Sequence, residues 1–469
     1  MSTASSRSEL RAMTGRELSA GFTAGDFDPV DVAEAVIETV EERNPELNAF
    51  TEFTPENVRS SAERSAERWR RGEQLSDFDG VPWTIKENLR REGVDYRSGT
   101  AATDPSLSTA NAPVVDRALE SGAVIVGSTT MPDWGMLSSG VSSINGISRS
   151  PWDPSLTTGG SSAGAGAAAA AGFAVANIGT DIGGSIRLPG TWLGLATLKP
   201  SDGRVPLDNP YLGRAAGPMS RTVEDLAWTM EIVSRPDARD YTALPGAEID
   251  WTQLGTDVSK LRVGLHLDAG AGLELDPEVR DAVAAAGRLF AAAGAEVVEV
   301  DPFITDDMLT DLDQFWRVRS WATYRALPAE KQMRVLPFIA DWCMGGSDVP
   351  GSRVLECYET IQELRAATTA ATQPYDIVLS PVATRAAFPA EWPMPFGFEN
   401  GGMSHIGFTL PYNMSGQPAA TVNCGLTSDG RTIGLQLSGR RFDDLGVLQA
   451  ASWYEAARPA EAAPQFPVR

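Results

Sequence analysis

The sequence predicts an α/β fold with a mixed, mainly parallel central β-sheet covered by helices on both faces. Two sets of alternating strands and helices support this prediction. A helix at about 112–121 precedes the apolar strand 123–127, and a helix at about 276–293 lies between the strands 261–265 and 296–300. Helices of this length can carry the chain back along a sheet, so the flanking strands are expected to run parallel. Hydrophobic residues make up 42% of the chain, which is enough for a large core.

Three helices are predicted near the N-terminus. Residues 7–24 contain a capping box, Thr14-Gly-Arg-Glu17, in which side chains satisfy backbone donors at a helix N-terminus. The helix 28–43 opens with an Asp-Pro pair, the residue types preferred just before and at the first helical position. A Thr-Pro pair begins the third helix, 54–71. These helices carry no recognisable chemistry and are expected to cover one side of the core.

Residues 80–88, Gly-Val-Pro-Trp-Thr-Ile-Lys-Glu-Asn, predict a short apolar strand that ends in Lys86. An edge strand with a solvated lysine would give the same pattern. Lysine is scarce in this chain, which has four lysines and 35 arginines. Because a lysine can lose its proton when buried whereas an arginine cannot, each lysine is a candidate for chemistry that needs a neutral amine.

Two serines set among glycines, Ser161 and Ser185, mark the stretch 158–187. Glycine lets other groups come close, and a Gly-Gly pair before a serine can turn successive N–H groups towards one point, as an oxyanion requires. Residues 163–171 are only alanine and glycine, which predicts a thin, tightly packed helix whose N-terminus points at Ser161 and Ser162. A linker followed by a small-residue core helix is the alternative.

Parts of this stretch also match motifs of other protein classes. Residues 160–164 match the Gly-x-Ser-x-Gly nucleophile elbow, and residues 164–169 imitate a dinucleotide-binding fingerprint, but both motifs follow a strand. Residues 150–158 contain two prolines, which a central strand does not tolerate. The sequence also lacks the Gly-x4-Gly-Lys-[Ser/Thr] pattern of a phosphate-binding loop. These interpretations are therefore rejected.

The serine-containing stretch resembles the amidase signature of the amidase signature family, in which Gly-Gly-Ser-Ser-Gly-Gly precedes a small-residue helix and Gly-Thr-Asp-x-Gly-Gly-Ser-Ile-Arg. Residues 159–162 and 179–187 match this pattern nearly residue for residue. The resemblance extends over nearly the whole chain, and further matching segments are 198–205, 217–225, 408–419 and 433–440. It implies the amidase-signature fold in one domain, 1–469. The parts of that domain would be N-terminal helices (1–75), the signature core (76–235), a variable helical cap (301–372) and the C-terminal part of the core (373–469).

The resemblance implies a catalytic set of Ser185, Ser161 and Lys86. Ser185 would be the nucleophile, and Ser161, which matches the family's serine preceded by a cis peptide bond, would relay its proton. Lys86 lies in a run like the family's Gly-Val-Pro-x-x-x-Lys-Asp-Asn and would be the base, because burial in a dry site lowers the pKa of a lysine. Glu87 replaces the family's aspartate, a departure that bears on how this loop is held, whereas Asn88 matches.

The resemblance also implies the remaining parts of the site. Backbone N–H groups of Ile182, Gly183 and Gly184, together with that of Ser185, would hold the oxyanion. Hydrogen bonds from four further residues would hold the loops: Ser162, Thr180, Asp181 and Arg187. Asp181 and Arg187 could equally form an ordinary ion pair.

Residues 131–137 correspond to the loop that walls the substrate pocket in this family, and they include Trp134, Gly135 and Met136. Trp83 and, from the predicted cap, Trp316 are further candidates for the wall. An apolar approach of this kind would favour a hydrophobic, aryl substrate. Aromatic residues in the core would give the same pattern.

Composition limits the partners. The formal charge of −23 repels nucleic acid and anionic membranes. The sequence has no run of about 18 apolar residues and no signal-peptide pattern. Three widely spaced cysteines suit a reducing cytoplasm, and two histidines without a Cys/His cluster disfavour a zinc site. We therefore expect a cytoplasmic monomer or homodimer that acts on a small molecule without a metal or cofactor.

The sequence thus predicts a hydrolase that cleaves the C–N bond of an amide, anilide or carbamate (urethane) through an acyl-enzyme, with esters as further substrates. One alternative is the amidase subunit of a tRNA-dependent amidotransferase, which works with a partner and charged tRNA. The acidic surface disfavours it, as does a chain that looks complete without an appended binding tail. The other alternative is a Ser-His-Asp esterase that uses His266 or His405, each of which fits a packed or surface histidine better.

Overall fold

The computed structural model describes residues 6–468. In this part of the chain, eleven strands form one sheet and two short strands form a separate hairpin. The strands are β1 (Phe50–Phe53), β2 (Pro82–Lys86), β3 (Val124–Thr129), β4 (Val141–Ser142), β5 (Gly146–Ile147), β6 (Ala176–Asp181), β7 (Ala196–Lys199), β8 (Ala215–Ser220), β9 (Arg262–Leu265), β10 (Glu296–Glu299), β11 (Ile377–Pro381), β12 (Ala419–Leu426) and β13 (Thr432–Gly439). The α-helices are α1 (Arg7–Ala12), α2 (Gly15–Ala24), α3 (Pro29–Leu47), α4 (Pro55–Arg71), α5 (Pro113–Glu120), α6 (Ala163–Ala171), α7 (Arg187–Leu193), α8 (Val223–Val233), α9 (Pro277–Ala292), α10 (Asp306–Tyr324), α11 (Ala329–Gln332), α12 (Pro337–Met344), α13 (Gly351–Thr372), α14 (Leu410–Met414) and α15 (Asp444–Ala457).

The large sheet has the strand order β1-β3-β2-β6-β8-β7-β12-β13-β11-β9-β10. Parallel pairs form its two wings, β3-β2-β6 and β11-β9-β10. The strands between the wings pair antiparallel, as does the edge strand β1 with β3. The predicted α/β fold with a mixed sheet is confirmed. The parallel pairing expected from the two strand–helix–strand sets is found in the wings, where both sets lie.

Both faces of the middle of the sheet are covered. Every residue of β2, β6, β7, β8 and β13 is buried. Because successive side chains of a strand point to opposite faces, burial of consecutive residues requires a layer on each side. Helices α6, α8, α9 and α15 pack against these strands and their neighbours. The core thereby fixes the ends of β2 and β6, from which the candidate site is built.

The N-terminal helices follow the predicted capping residues but differ in extent. Residues 7–24 form two helices, because Met13 is extended and the Thr14 capping box begins a new helix. Helix α3 begins after the predicted Asp28 cap and continues past Pro45. Helix α4 ends at Arg71, as predicted.

Residues 301–372, which were predicted to be helical, contain the four helices α10–α13. Helix α10 packs against α12 and α13. Trp316 and Trp342 are buried, and Trp342 Nε1 donates to Asp313 Oδ1 at 2.9 Å. Within residues 6–468, no helix is both long enough and apolar enough to span a membrane.

Candidate active site

Two parallel strands end side by side at the candidate site. β2 and β6 pair through Ile85 and Ile178, so their carboxyl ends lie at the same edge of the sheet. Lys86 is the last residue of β2, and Asp181 is the last residue of β6. Because β2 lies between β3 and β6, Lys86 does not belong to an edge strand, which was the alternative suggested by the sequence pattern.

The two serine-containing turns meet in front of these strand ends. The Ser162 N–H donates to the Ser185 carbonyl oxygen at 3.1 Å. Helix α6 follows Ser162, and all of its residues are buried. A Cβ atom at Gly164 would lie 2.1 Å from the Ala49 carbonyl oxygen, so the helix approaches neighbouring backbone too closely for a larger residue. The Ala-Gly composition therefore lets the start of α6 reach the lysine.

Lys86 is completely buried, and its Nζ is surrounded by hydroxyl groups. It lies 2.8 Å from Ser161 Oγ, 3.0 Å from Ser162 Oγ and 3.1 Å from Thr180 Oγ1. Among the described residues, no carboxylate forms an ion pair with this amine. The structure thus places four of the predicted site residues in one hydrogen-bonded group.

The environment of Lys86 favours its neutral form. Burial lowers the pKa of Lys86 well below its ordinary value, and the positive charge of Arg214 acts in the same direction. The negative charges of Asp181 and Glu87 oppose this shift without cancelling it. A neutral amine can accept a proton, as a catalytic base must.

Ser161 and Ser185 line the same cavity. The peptide bond between Gly160 and Ser161 is cis, and Ser161 Oγ is bonded to the Lys86 amine. Ser185 is half-buried, and its Oγ has no hydrogen-bond partner within residues 6–468. The structure therefore holds the Ser161 hydroxyl on the lysine and leaves the Ser185 hydroxyl open to the cavity, without a direct hydrogen bond between the two serines.

The turn that leads to Ser185 leaves three of the four N–H groups predicted for the oxyanion without an acceptor among the described residues. In the described part of the chain, the N–H groups of Ile182, Gly183 and Ser185 have no acceptor. Gly184 departs from the prediction, because its N–H donates to Asp181 Oδ1 at 2.8 Å and is not available to an oxyanion. Its φ of +126° favours glycine, and this conformation aims the N–H back at the carboxylate.

Asp181 and Arg187 form an ion pair that organises this turn. Arg187 Nη2 lies 2.9 Å from Asp181 Oδ1, and neither side chain has exposed surface. The same carboxylate accepts the N–H groups of Gly184 and Ile186. Burial alone would raise the pKa of Asp181, but Arg187, Asn413 and the Ile186 N–H together hold it below its ordinary value. Forming an ion pair and holding the loop are therefore one and the same role.

Three residues far along the chain complete this network, and sequence reasoning missed them. The Arg187 guanidinium donates to the Thr409 carbonyl oxygen, to Gln436 Oε1 and to Asn413 Oδ1. All three lie in the two C-terminal segments that resemble the family. Those segments were recognisable, but nothing in them distinguished the residues that reach Arg187.

Glu87 holds the loop that follows β2. Its carboxylate accepts the N–H of Arg97 at 2.9 Å and that of Gly99 at 3.1 Å. The Ser98 carbonyl oxygen, between them, accepts the Trp134 N–H at 2.8 Å. Trp134 has a φ of +51°, which bulky residues rarely adopt. The glutamate that replaces the family's aspartate therefore helps to position Trp134.

The cavity in front of Ser185 has a volume of about 220 Å³. Trp134, Gly135 and Met136, which the resemblance placed in the loop beside the substrate, line this cavity. A smaller pocket of about 50 Å³ adjoins it, and Met136 and Ser185 contribute to both. Trp316 from α10 lines the smaller pocket.

The prediction that Trp83 lines the pocket is wrong. Its side chain has no exposed surface, and its ring packs edge-on against Phe78 with centroids 5.9 Å apart. Side chains alternate between the faces of a strand, and Trp83 lies three positions before Lys86. It therefore points away from the lysine, into the core on the other side of β2.

Neither histidine is hydrogen-bonded to a candidate nucleophile in the described part of the chain, although His405 lines the smaller pocket together with Ser185. His405 Nε2 lies 2.6 Å from Ser138 Oγ, and burial lowers the pKa of His405 to about 3. His266 stacks on Phe303 at 4.7 Å, and burial lowers its pKa to about 4. Within residues 6–468, neither histidine hydrogen-bonds to Ser185 or to a carboxylate side chain. The geometry of a Ser-His-Asp triad is therefore not formed by the described residues.

The three cysteines line neither cavity of the candidate site. The three cysteines are buried and free, and burial raises the pKa of the Cys343 thiol to about 12. In the described part of the chain, no group of three or more His, Cys, Asp or Glu residues is placed to hold a metal ion.

Comparison with known proteins identifies the family. The sequence profile of the Amidase family matches residues 31–448, which is most of the chain. The chain belongs to the amidase family. The resemblance inferred from the signature is confirmed, and this member of the amidase family is a hydrolase that acts on amide C–N bonds.

Two of the curated relatives of this amidase-family chain carry different names. An acylamidase from Rhodococcus erythropolis is 31% identical over 460 residues, which cover 96% of each chain. A glutamyl-tRNA(Gln) amidotransferase subunit of the A type, from Synechococcus sp. (strain CC9605), is 30% identical over 472 residues, covering 92% of this chain and 94% of that one. The structure of a bacterial aryl acylamidase of the amidase signature family superposes with a TM-score of 0.87, 25% identity and 96% coverage of both chains. The choice between these reactions therefore depends on the chain's own site.

Proposed function

We propose that the chain cleaves the C–N bond of amides, anilides or carbamates through an acyl-enzyme on Ser185. The buried Lys86 amine carries this proposal, because it lies 2.8 Å from Ser161 Oγ and has no carboxylate partner among the described residues. A serine hydroxyl is a poor nucleophile without an adjacent base. A neutral lysine that reaches the cavity through a second serine supplies that base.

In the acylation step, Ser185 Oγ attacks the carbonyl carbon of the substrate. Ser161, which lines the same cavity, passes the proton of Ser185 to the Lys86 amine. The N–H groups of Ile182, Gly183 and Ser185 donate to the oxyanion that forms. Each donor of this kind contributes about 3 kcal/mol to transition-state stabilisation.

The C–N bond breaks when the proton on Lys86 returns through Ser161 to the leaving nitrogen. The amine departs, and the acyl group remains on Ser185 as an ester. Water then passes a proton along the same path to Lys86 and attacks the carbonyl carbon of this ester. The bond between that carbon and Ser185 Oγ breaks as the proton returns to Oγ, and the acid is released. Lys86 begins and ends each half-reaction neutral, so the cycle needs no external base.

Carbamates and esters fit the same sequence of steps. A carbamate presents a carbonyl group and a C–N bond in the same arrangement as an amide, and an ester replaces the leaving amine with an alcohol. The similarity to an acylamidase and to an aryl acylamidase structure supports amides and anilides as the first substrates to examine.

The relationship to amidotransferase subunits of the A type favours one second candidate, a subunit that works with partner proteins and charged tRNA. The formal charge of −23 argues against a tRNA partner. Our proposal is a stand-alone enzyme for a small molecule, a cytoplasmic monomer or homodimer without nucleic-acid or membrane partners. Gel filtration of the isolated chain, together with its activity, discriminates between the two candidates.

The test is hydrolysis by the isolated chain of 4-nitroacetanilide, simple amides, a dipeptide amide and an aryl carbamate. We expect turnover of at least one C–N substrate, its loss in Ser185→Ala and its retention in Ser352→Ala, which alters an exposed serine of α13. Amide hydrolysis that appears only when amidotransferase partner proteins are added would instead support the second candidate.

A further inference from the structure

Two arginines of the larger cavity lack an acidic partner. Arg214 and Arg319 line the cavity that contains Ser185. Among the described residues, neither forms an ion pair. Arg214 Nη1 donates to the Asn209 carbonyl oxygen at 2.9 Å, and the Arg319 guanidinium lies 3.9 Å from the centre of the Tyr211 ring. These contacts position both side chains and leave their charges uncompensated.

The acidic groups near these arginines are already paired. Asp181 lines the cavity but forms an ion pair with Arg187. Asp208, whose charge acts on Arg214, forms an ion pair with Arg90. The cavity therefore carries two positive charges in a chain whose formal charge is −23. A local field of this sign attracts small anions while the surrounding surface repels larger ones.

A carboxylate fits this pair of arginines. A guanidinium stays protonated at any usable pH and presents its N–H donors in a planar fork that matches the two oxygens of a carboxylate. Arg214 is half-buried, and burial lowers its pKa, so its charge is poorly solvated without a counter-ion. Arg319 is exposed at the mouth, where stacking on Tyr211 orients its fork.

The smaller pocket beside Ser185 is mainly apolar. Five residues belong to both cavities: Gly135, Met136, Ile182, Ser185 and Arg319. Of the two arginines, Arg319 therefore lies at the boundary and only Arg214 is confined to the larger cavity. The apolar side chains are those of Leu188, Trp316, Met394, Met403 and Ile406. A carbonyl group placed at Ser185 would therefore have Arg214 on one flank, mainly apolar side chains on the other, and Arg319 at the boundary between them.

We propose that the preferred substrates are carboxylate-bearing amides. The carboxylate, on one side of the scissile C–N bond, is bound by Arg214 and Arg319, and an apolar group on the other side occupies the smaller pocket. This inference rests on the proposed function, since it takes Ser185 as the nucleophile. The two arginines bind and select the substrate, and neither gives nor takes a proton, although the charge of Arg214 also lowers the pKa of Lys86.

Two pairs of substrates test the proposal, each differing by a carboxylate in place of a methyl group. The first pair, the 4-nitroanilides of succinic and butyric acids, places the anion on the acyl side. The second pair, N-benzoyl-β-alanine and N-propylbenzamide, places it on the amine side. We expect kcat/KM to favour the anion by about tenfold or more in one pair, which also identifies the flank that faces the arginines.

Arginine variants connect this preference to the cavity. Arg214→Gln and Arg319→Gln should each reduce the ratio of kcat/KM values for the charged and neutral substrates by about tenfold, because each removes a charged donor. Arg280→Gln is the matched control, since it alters an exposed arginine of α9 that lines neither cavity. An unchanged ratio in both cavity variants would overturn the proposal.

Inhibition of the wild-type enzyme gives a readout that does not depend on the folding of variants. The inhibition constant of 4-phenylbutyrate should be about tenfold or more below that of 4-phenylbutan-1-ol. Added salt should reduce the difference between the two inhibition constants. Equal inhibition would contradict the anionic subsite. Ser185-dependent hydrolysis of neutral anilides without any preference for anions would contradict this inference alone, whereas hydrolysis that survives Ser185→Ala would contradict the proposed function.

Discussion

Lys86 Nζ lies 2.8 Å from Ser161 Oγ, at a position where the lysine has no exposed surface. Burial lowers the pKa of Lys86, and three hydroxyl-bearing residues surround the amine in place of a carboxylate. The surroundings of this contact therefore favour the neutral form of the amine beside the hydroxyl group. An amine in this state can accept a proton, whereas a charged lysine could only attract negative groups.

Ser185→Ala should abolish both turnover and labelling by a fluorophosphonate probe. The Ser185 hydroxyl has no hydrogen-bond partner among the described residues, so its loss should change the free energy of unfolding by less than about 1 kcal/mol. Mass spectrometry of the labelled wild type locates the modified residue. A label on Ser162 would instead support the nucleophile-elbow interpretation of residues 160–164.

The buried lysine also predicts a pH dependence of stability. The unfolded chain keeps a proton on Lys86 up to its ordinary pKa of 10.5, whereas the pKa is lower in the folded protein. Between these two pKa values the unfolded state binds more protons, so the contribution of Lys86 to the free energy of unfolding becomes more favourable as pH rises. The gain is at most about 1.4 kcal/mol per pH unit.

Lys86→Met has no titrating group at this position, so the difference in stability between wild type and this variant reports the titration of Lys86. We expect the stability of wild type relative to Lys86→Met to increase between pH 7 and about pH 10, measured by urea unfolding of both proteins in parallel. A difference that stays constant over this range would mean that Lys86 titrates alike in the folded and unfolded states, and it would remove the case for a neutral base.

Histidine should be dispensable for the chemistry. His266→Phe should leave kcat/KM close to wild type, because this histidine packs against Phe303 away from the serines. His405→Gln alters a wall of the smaller pocket and should lower kcat/KM by less than about tenfold. A loss of about 10³-fold or more in either variant, the scale expected for removal of a general base, would contradict a mechanism without histidine.

The ion pair between Asp181 and Arg187 should behave as one unit. Arg187→Met leaves a buried carboxylate without its partner and should cost about 3–5 kcal/mol of stability. The double variant Asp181→Asn, Arg187→Met should be less destabilised than the sum of the two single variants, because no charge remains buried. Chemical denaturation of all four proteins gives the coupling energy, and strict additivity would show that the two side chains act independently.

The parts of the site that are local in sequence could be predicted. Ser161 and Ser185 stand in glycine-rich turns and Lys86 ends a strand, and the resemblance of these segments to the amidase signature implied their roles. The orientation of Trp83 could also have been predicted. It lies an odd number of residues from Lys86 along one strand, which places the two side chains on opposite faces of the sheet. The acceptor of the Gly184 N–H could not be predicted, because it depends on the conformation of the whole turn.

The features that depend on distant segments could not be predicted. Arg214 precedes β8 and Arg319 lies on α10, and nothing in the sequence distinguishes them from the other arginines, 35 in all. Their shared cavity forms where α10 and the segment before β8, which are distant in sequence, come together. The antiparallel middle of the sheet was in part accessible, because the Asp-Gly turn at 429–430 between two apolar runs is a hairpin signal that links β12 and β13.

The most direct test of the account is the kcat/KM profile of Lys86→Arg against pH, compared with wild type and Lys86→Ala on an anilide substrate. Arginine keeps the positive charge but cannot lose its proton. It therefore cannot act as a base at this position. We expect kcat/KM of Lys86→Arg and of Lys86→Ala to lie equally far below that of wild type, by several orders of magnitude. Wild-type kcat/KM should rise with pH through the lowered pKa of Lys86. An active Lys86→Arg enzyme with the wild-type pH profile would contradict the role of Lys86 as the base, and with it the mechanism through Ser161 and Ser185.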